Sequence, residues 1–147
     1  MASNTELVAT GLSGVMAGAL TFVSLVDART LKALANAGDE TTLRGLFPIW
    51  WPNGRDMMAP LLMTTAATHV AAYYVSQKPS WLYTGAAAFA LGPYTALVMG
   101  EDIEKLRSAG SEEVCATARR FCLLHHPRAL LALASLGAVL ASLRRPS

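Results

Sequence analysis

The segment "HHPR", His125 to Arg128, sets two histidines and an arginine inside the run "RRFCLLHHPRALLALASLGAVLASL". A histidine at position i and an arginine at i+3 share one face of a helix. Together they offer an imidazole that can take a proton and a permanent positive charge with five donors. That pairing suits abstraction of a proton followed by retention of a carboxylate, phenolate, enolate or developing oxyanion. Pro127 cannot donate to the carbonyl of Leu123, so a kink and a free acceptor are expected there. The other use of Arg128 is to anchor the helix end by reaching out to the membrane surface. Spacing alone leaves both open.

His69, in "TTAATHVAA", is the remaining histidine. A haem held between it and His125 or His126 would need the rings at one depth. His69 lies about nine residues past Pro60, or about 13 Å, whereas His125 lies about four past Phe121, or about 6 Å. The favoured reading is a neutral His69 hydrogen-bonded to a neighbouring helix, and no metal site is expected. Cys115 and Cys122 stand seven apart, about 10 Å of rise on one helix, too far for a disulfide and without zinc-site spacing. Ionisable groups gather at one end of the apolar stretches: Asp27 and Arg29, Arg55 and Asp56, Glu101 and Asp102. They predict either a shallow polar pocket open to the cytoplasmic interface or a ring of interfacial ion pairs.

The elements that must position these groups follow from composition. Of 147 residues, 53% are hydrophobic and only 15% charged, with mean hydropathy +0.37, too apolar for an ordinary soluble fold of this size. The net charge of +2 comes from scattered Lys and Arg, with no basic run of the nucleic-acid kind. "MASNTE" lacks the basic n-region of a signal peptide, so the first apolar stretch is expected to be retained. The expectation is one all-α domain over 1–147, an integral membrane four-helix bundle with spans at about 7–26, 57–75, 81–99 and 121–143. The last must include "HHPR" to be long enough. Nine Lys and Arg fall at one face and three at the other, which puts both long loops in the cytoplasm or its equivalent and both termini on the opposite side.

The two long loops, "LKALANAGDE" and "EKLRSAGSEE", resemble each other. Gly38 and Gly110 can each end a helix in the left-handed conformation, and Asp39 and Ser111 can cap the next. Two helical hairpins in parallel repeat would produce this pattern, and so would similar loop physics without duplication. Gly11, Gly14 and Gly18, and the small residues of "YTGAAAFALG", predict faces for close helix packing. Trp50, Trp51 and Trp81 suit the two membrane interfaces.

In order and spacing, "FVSLVDARTL", "LFPIWWPNGRDMMAPL", "LGPYTALVMGEDIEKL" and "ARRFCLLHHPRALLALASL" resemble the small four-helix membrane family, largely of unknown function, that includes the fungal anthrone oxygenases. The match covers nearly the whole chain. It places a family-type arginine at Arg55 before "MAP" (Met58 to Pro60), the proline–aromatic–threonine of the third span at Pro93, Tyr94 and Thr95, the fourth-span histidine and arginine at His125 and Arg128, and the acid after the first span at Asp27. Two features depart from the family pattern. Asp102 and Ile103 stand where Thr-Asn is usual, and Phe121 replaces a tryptophan. Ile103 can neither donate nor accept a hydrogen bond.

The resemblance implies oxidation of a planar, apolar phenolic such as an anthrone without a bound cofactor. His125 would act as base, Arg128 and Arg55 as anion stabilisers, and Tyr94, Thr95 and Asp27 as substrate-binding groups. Expected partners are membrane lipid, an apolar aromatic substrate and neighbouring membrane subunits. The alternative function is a non-catalytic accessory subunit of a larger membrane assembly.

Overall fold

A computed structural model describes residues 2–108 and 113–144. Gly110 and Ser111, expected to form the second loop's cap, lie outside the described residues. The chain is all-α, with no strand among those residues. It runs as α1 (Asn4–Phe22), α2 (Ala28–Ala37), α3 (Glu40–Ser76), α4 (Ser80–Val98), α5 (Gly100–Arg107) and α6 (Val114–Arg144). A π-helical turn, Val23–Asp27, joins α1 to α2 without interrupting the rod. Between α4 and α5 the axis bends by 56° at Met99. Each half of the chain therefore has the order long, short, long. The α6 helix continues uninterrupted through Pro127.

Local chemistry sets the boundaries. Ser3 and Glu6 form a reciprocal capping box at the start of α1, satisfying two of the amides a helix start leaves bare. Gly38 takes φ +72° at the end of α2, the left-handed region a glycine reaches without cost. The next residue, Asp39, caps α3 by accepting from the Thr42 hydroxyl at 2.7 Å and the Thr42 amide at 3.0 Å. These bonds hold its carboxyl below the usual carboxylate range.

The exterior is largely apolar: Leu97 is 85% exposed and Leu130 66%, a surface that suits hydrocarbon rather than water. By length and composition, the α1–α2 rod and α6 can each cross a bilayer, and the bent α4–α5 pair makes a third. The protein is thus a membrane protein. Helix α3 falls below that measure of apolarity because Thr64, Thr65, Thr68 and His69 dilute its apolar half. Thr65 and His69 are fully buried, so these two face the bundle, whereas Thr64 is exposed.

Three packed layers fill the interior. At one end, α2 and the first half of α3 meet α5 and the start of α6 around Phe47 and Phe121. A middle layer joins Met16, Leu20, Leu62, Leu91 and Ala132. At the far end Ala9, Ala72, Trp81 and Val139 close the bundle.

Two expectations about packing are corrected. Trp81 is not an interfacial anchor: it is 1% exposed, and its indole N–H donates to Glu6 at 3.2 Å. Lys78 reaches the same Glu6 oxygen at 3.4 Å. The glycines of α1 do not carry the close helix approach either, since a Cβ at Gly11, Gly14 or Gly18 would meet no atom within 4 Å. The close approach is at Gly85 of α4, where an added Cβ would lie 2.9 Å from the His69 Cβ. That makes room for the His69 imidazole, whose Nε2 sits 2.8 Å from the Ser13 hydroxyl of α1, the inter-helix bond expected of it. Gly85→Ala is therefore expected to destabilise the fold by about 1–3 kcal/mol through overpacking. Gly14→Ala, which meets nothing, should gain up to about 1 kcal/mol from helix propensity. Thermal unfolding of the two variants in detergent micelles compares them.

Candidate functional site

Spacing along α3 and α4 builds two walls. Trp51, Arg55, Met58, Ala59 and Leu62 recur at three- and four-residue intervals and so form one face of α3. Gly92, Thr95 and Ala96 do the same on α4. Between these faces lies a cavity of about 260 Å³, completed by Ile103 of α5 and Arg128 of α6. A smaller cavity of about 50 Å³ adjoins it, sharing Trp51, Arg55, Met58 and Arg128 and adding Trp50, Leu20 and His125.

Arg128 is 5% exposed and His125 2%. Arg128 does not reach out to the membrane surface; it is turned into the bundle, which disfavours the anchoring use of its charge. Its Nε is buried with no hydrogen-bond partner, and both ring nitrogens of His125 are likewise unpartnered. No ion pair reaches the guanidinium among the described residues. Buried polar atoms normally find partners, because each one left bare costs about 1–3 kcal/mol. Three such atoms bordering connected cavities mark a place that another molecule can complete.

The imidazole of His125 is caged by aromatic edges. Phe121 lies at 4.8 Å between ring centroids and Trp50 at 6.4 Å. Phe121, Trp50 and Trp51 in turn surround Phe47, so the aromatic layer roofs the site. Because Phe121 presents an edge where a tryptophan would, the replacement keeps the cage aromatic.

The remaining expected site residues divide. Arg55 lines both cavities but is half exposed and is held by Asp56 at 2.7 Å, so it stands at the mouth with its charge partly offset. Thr95 lines the larger cavity and donates its hydroxyl proton to the Leu91 carbonyl at 2.7 Å; its oxygen remains able to accept. Tyr94 and Asp27 are set behind the lining. The Tyr94 hydroxyl donates to the Leu124 carbonyl at 3.2 Å, one residue before His125. Asp27 accepts from the Trp50 indole at 3.3 Å. These two fix the backbone and ring that cage His125. Of the charges clustered at this end, Arg55–Asp56 and Arg120–Asp102 are ion pairs, while Arg128 borders a cavity whose walls are mostly apolar.

Trp51, Met58, Ala59, Leu62, Gly92 and Ile103 were not among the expected site residues. The α3 members could have been found from their shared period with Arg55. Ile103 lines the cavity directly, so this departure from the expected asparagine removes a polar group from the chamber wall itself. No group of three or more metal-ligating side chains occurs among the described residues.

A family model described as anthrone oxygenase matches residues 47–138, a segment that holds most of α3, all of α4 and α5, and most of α6. No curated protein and no solved structure matches the chain.

Proposed function

Because the chain belongs to the anthrone oxygenase family, we propose that it oxidises a planar, apolar phenolic of the anthrone type within the membrane, using molecular oxygen as the oxidant. The observation that carries this reading is the unpartnered guanidinium of Arg128 beside an otherwise apolar cavity. An apolar ring system fills walls of Met58, Leu62 and Ile103, while its one ionising oxygen meets the fixed charge.

His125 removes a proton from the ring methylene, and the enolate oxygen is held by Arg128, with Arg55 at the mouth. The electron-rich enolate carbon then reduces oxygen. In the balance, one CH₂ and one O₂ become one C=O and one H₂O: two C–H bonds break, one carbon–oxygen double bond forms, and the second oxygen atom leaves as water. Thr95 accepts a hydrogen bond from a ring hydroxyl. Tyr94 and Asp27 act as positioning residues through Leu124 and Trp50.

The test uses purified protein in detergent with an anthrone and an oxygen electrode. Oxygen uptake and quinone formation in equal amounts are expected; an intact, stable protein that leaves both at the uncatalysed rate rejects the reading.

The four rods are read as four spans with both termini on the non-cytoplasmic side, following the nine-to-three distribution of basic residues. A C-terminal reporter that is active only on that side checks the orientation, and an inactive reporter on an expressed, inserted protein would reverse it.

A second reading rests on the exposed glycines of α1. Gly11, Gly14 and Gly18 have open space where a partner helix could approach, as in an accessory subunit. Co-purification with other membrane subunits in a fixed ratio, with no turnover by the isolated chain, would favour it.

A further inference from the structure

On the other side of α6 lies a groove of about 200 Å³, lined by Ser24, Ala28, Arg29 and Lys32 and by Cys122, Leu123 and His126. None of these residues borders the two cavities at Arg128. Two permanent cations and a histidine converge there with no carboxylate in the lining. Arg29, Lys32 and His126 have no hydrogen-bonded or ion-paired side-chain partner among the described residues. This is unlike Arg55, Lys105 and Arg120, each of which faces an acid. The π turn at Val23–Asp27 inserts its extra residue just before Ala28, which rotates Arg29 and Lys32 relative to a straight continuation of α1.

From this geometry we infer that the groove binds a phosphate-bearing anion, namely the headgroup of an anionic membrane lipid. Phosphate is recognised by the guanidinium fork of Arg29, by the point charge of Lys32 and by the ring N–H of His126. The surroundings favour a lipid over free phosphate. Toward the bundle centre, one turn back along the rod from Arg29 is Leu25 in the π turn and two turns back is Phe22 of α1; one turn along α6 from His126 is Leu130. These three are 49%, 57% and 66% exposed. The cations sit where headgroups lie, and the apolar side chains beneath them run where an acyl chain would.

The test compares the full chain in nanodiscs of phosphatidylcholine alone and of phosphatidylcholine containing phosphatidylglycerol, reading the thermal midpoint and, by native mass spectrometry, the lipid retained. Anionic lipid is expected to raise the midpoint and to remain bound. Arg29→Ala with Lys32→Ala should weaken retention roughly thirtyfold, from about 1 kcal/mol, or fivefold, per basic residue near an anionic surface. Arg29→Lys should keep most of it. Lys105→Ala with Arg107→Ala, which removes the same charge elsewhere, should bind as the parent does.

Equal retention by the Arg29/Lys32 variant and the parent overturns the proposal. So does equal loss in the Lys105/Arg107 variant, which would mean diffuse attraction. Inorganic phosphate in phosphatidylcholine nanodiscs is the second arm. A full midpoint shift from phosphate alone assigns the groove to a free anion and rejects the lipid.

Discussion

Arg128→Met should abolish most turnover while raising the thermal midpoint. The two effects have opposite signs because the guanidinium is buried without a partner. In the resting protein it is a desolvated charge that nothing repays, so an apolar side chain of similar length is expected to stabilise the fold by about 1–3 kcal/mol. In the proposed reaction the same charge holds the enolate. Removing one preorganised stabiliser of a developing anion typically lowers kcat by about 10²–10³. Oxygen uptake and thermal unfolding measured on one preparation give both numbers. A structural arginine would show a lowered midpoint together with any loss of activity, and that pattern would sink the proposed role.

The second large effect is expected at His125. Phenylalanine there keeps a ring against Phe121 and Trp50 and removes two ring nitrogens that have no partner. The fold should hold or gain slightly. Loss of the base should lower kcat by about 10²–10⁴, with little change in KM because the apolar walls of the cavity are untouched. His126→Phe provides the comparison, since His126 faces the groove on the opposite side; it should leave turnover near the parent's. If His125→Phe turns over normally, the proton goes elsewhere.

That His125 and Arg128 share one face of a helix was legible in sequence, because three-residue spacing is enough to place two side chains together. The chamber around them was not. Met58, Ala59, Leu62 and Ile103 are ordinary constituents of apolar helices, and a cavity wall has the same composition as a lipid-facing surface. Which one a residue serves depends on the rotation of each helix about its axis, and that is set by partners distant in the chain. Trp81 shows the same limit. A tryptophan at the start of an apolar run fits an interface, yet its partner Glu6 is 75 positions away and draws the indole into the core. For α1, small residues at helical spacing indicated a smooth face correctly but gave no information on what it touches.

The helices run beyond the expected spans for a related reason. Apolar windows register only the hydrocarbon-length portion of a helix, and hydrogen bonding carries α3 back to Glu40 and α6 back to Val114 through polar residues such windows reject. The turn at Gly38 and Asp39 was readable because its signal is local.

The 56° bend at Met99 separates Thr95 and Ala96, on one side of the joint, from Ile103 on the other, although all three border the same chamber. Opening or closing this elbow by a few degrees moves one wall relative to the rest while leaving His125 and Arg128 in place. The width of the chamber is therefore set in part by the angle of a joint at Met99, a residue that does not itself line it.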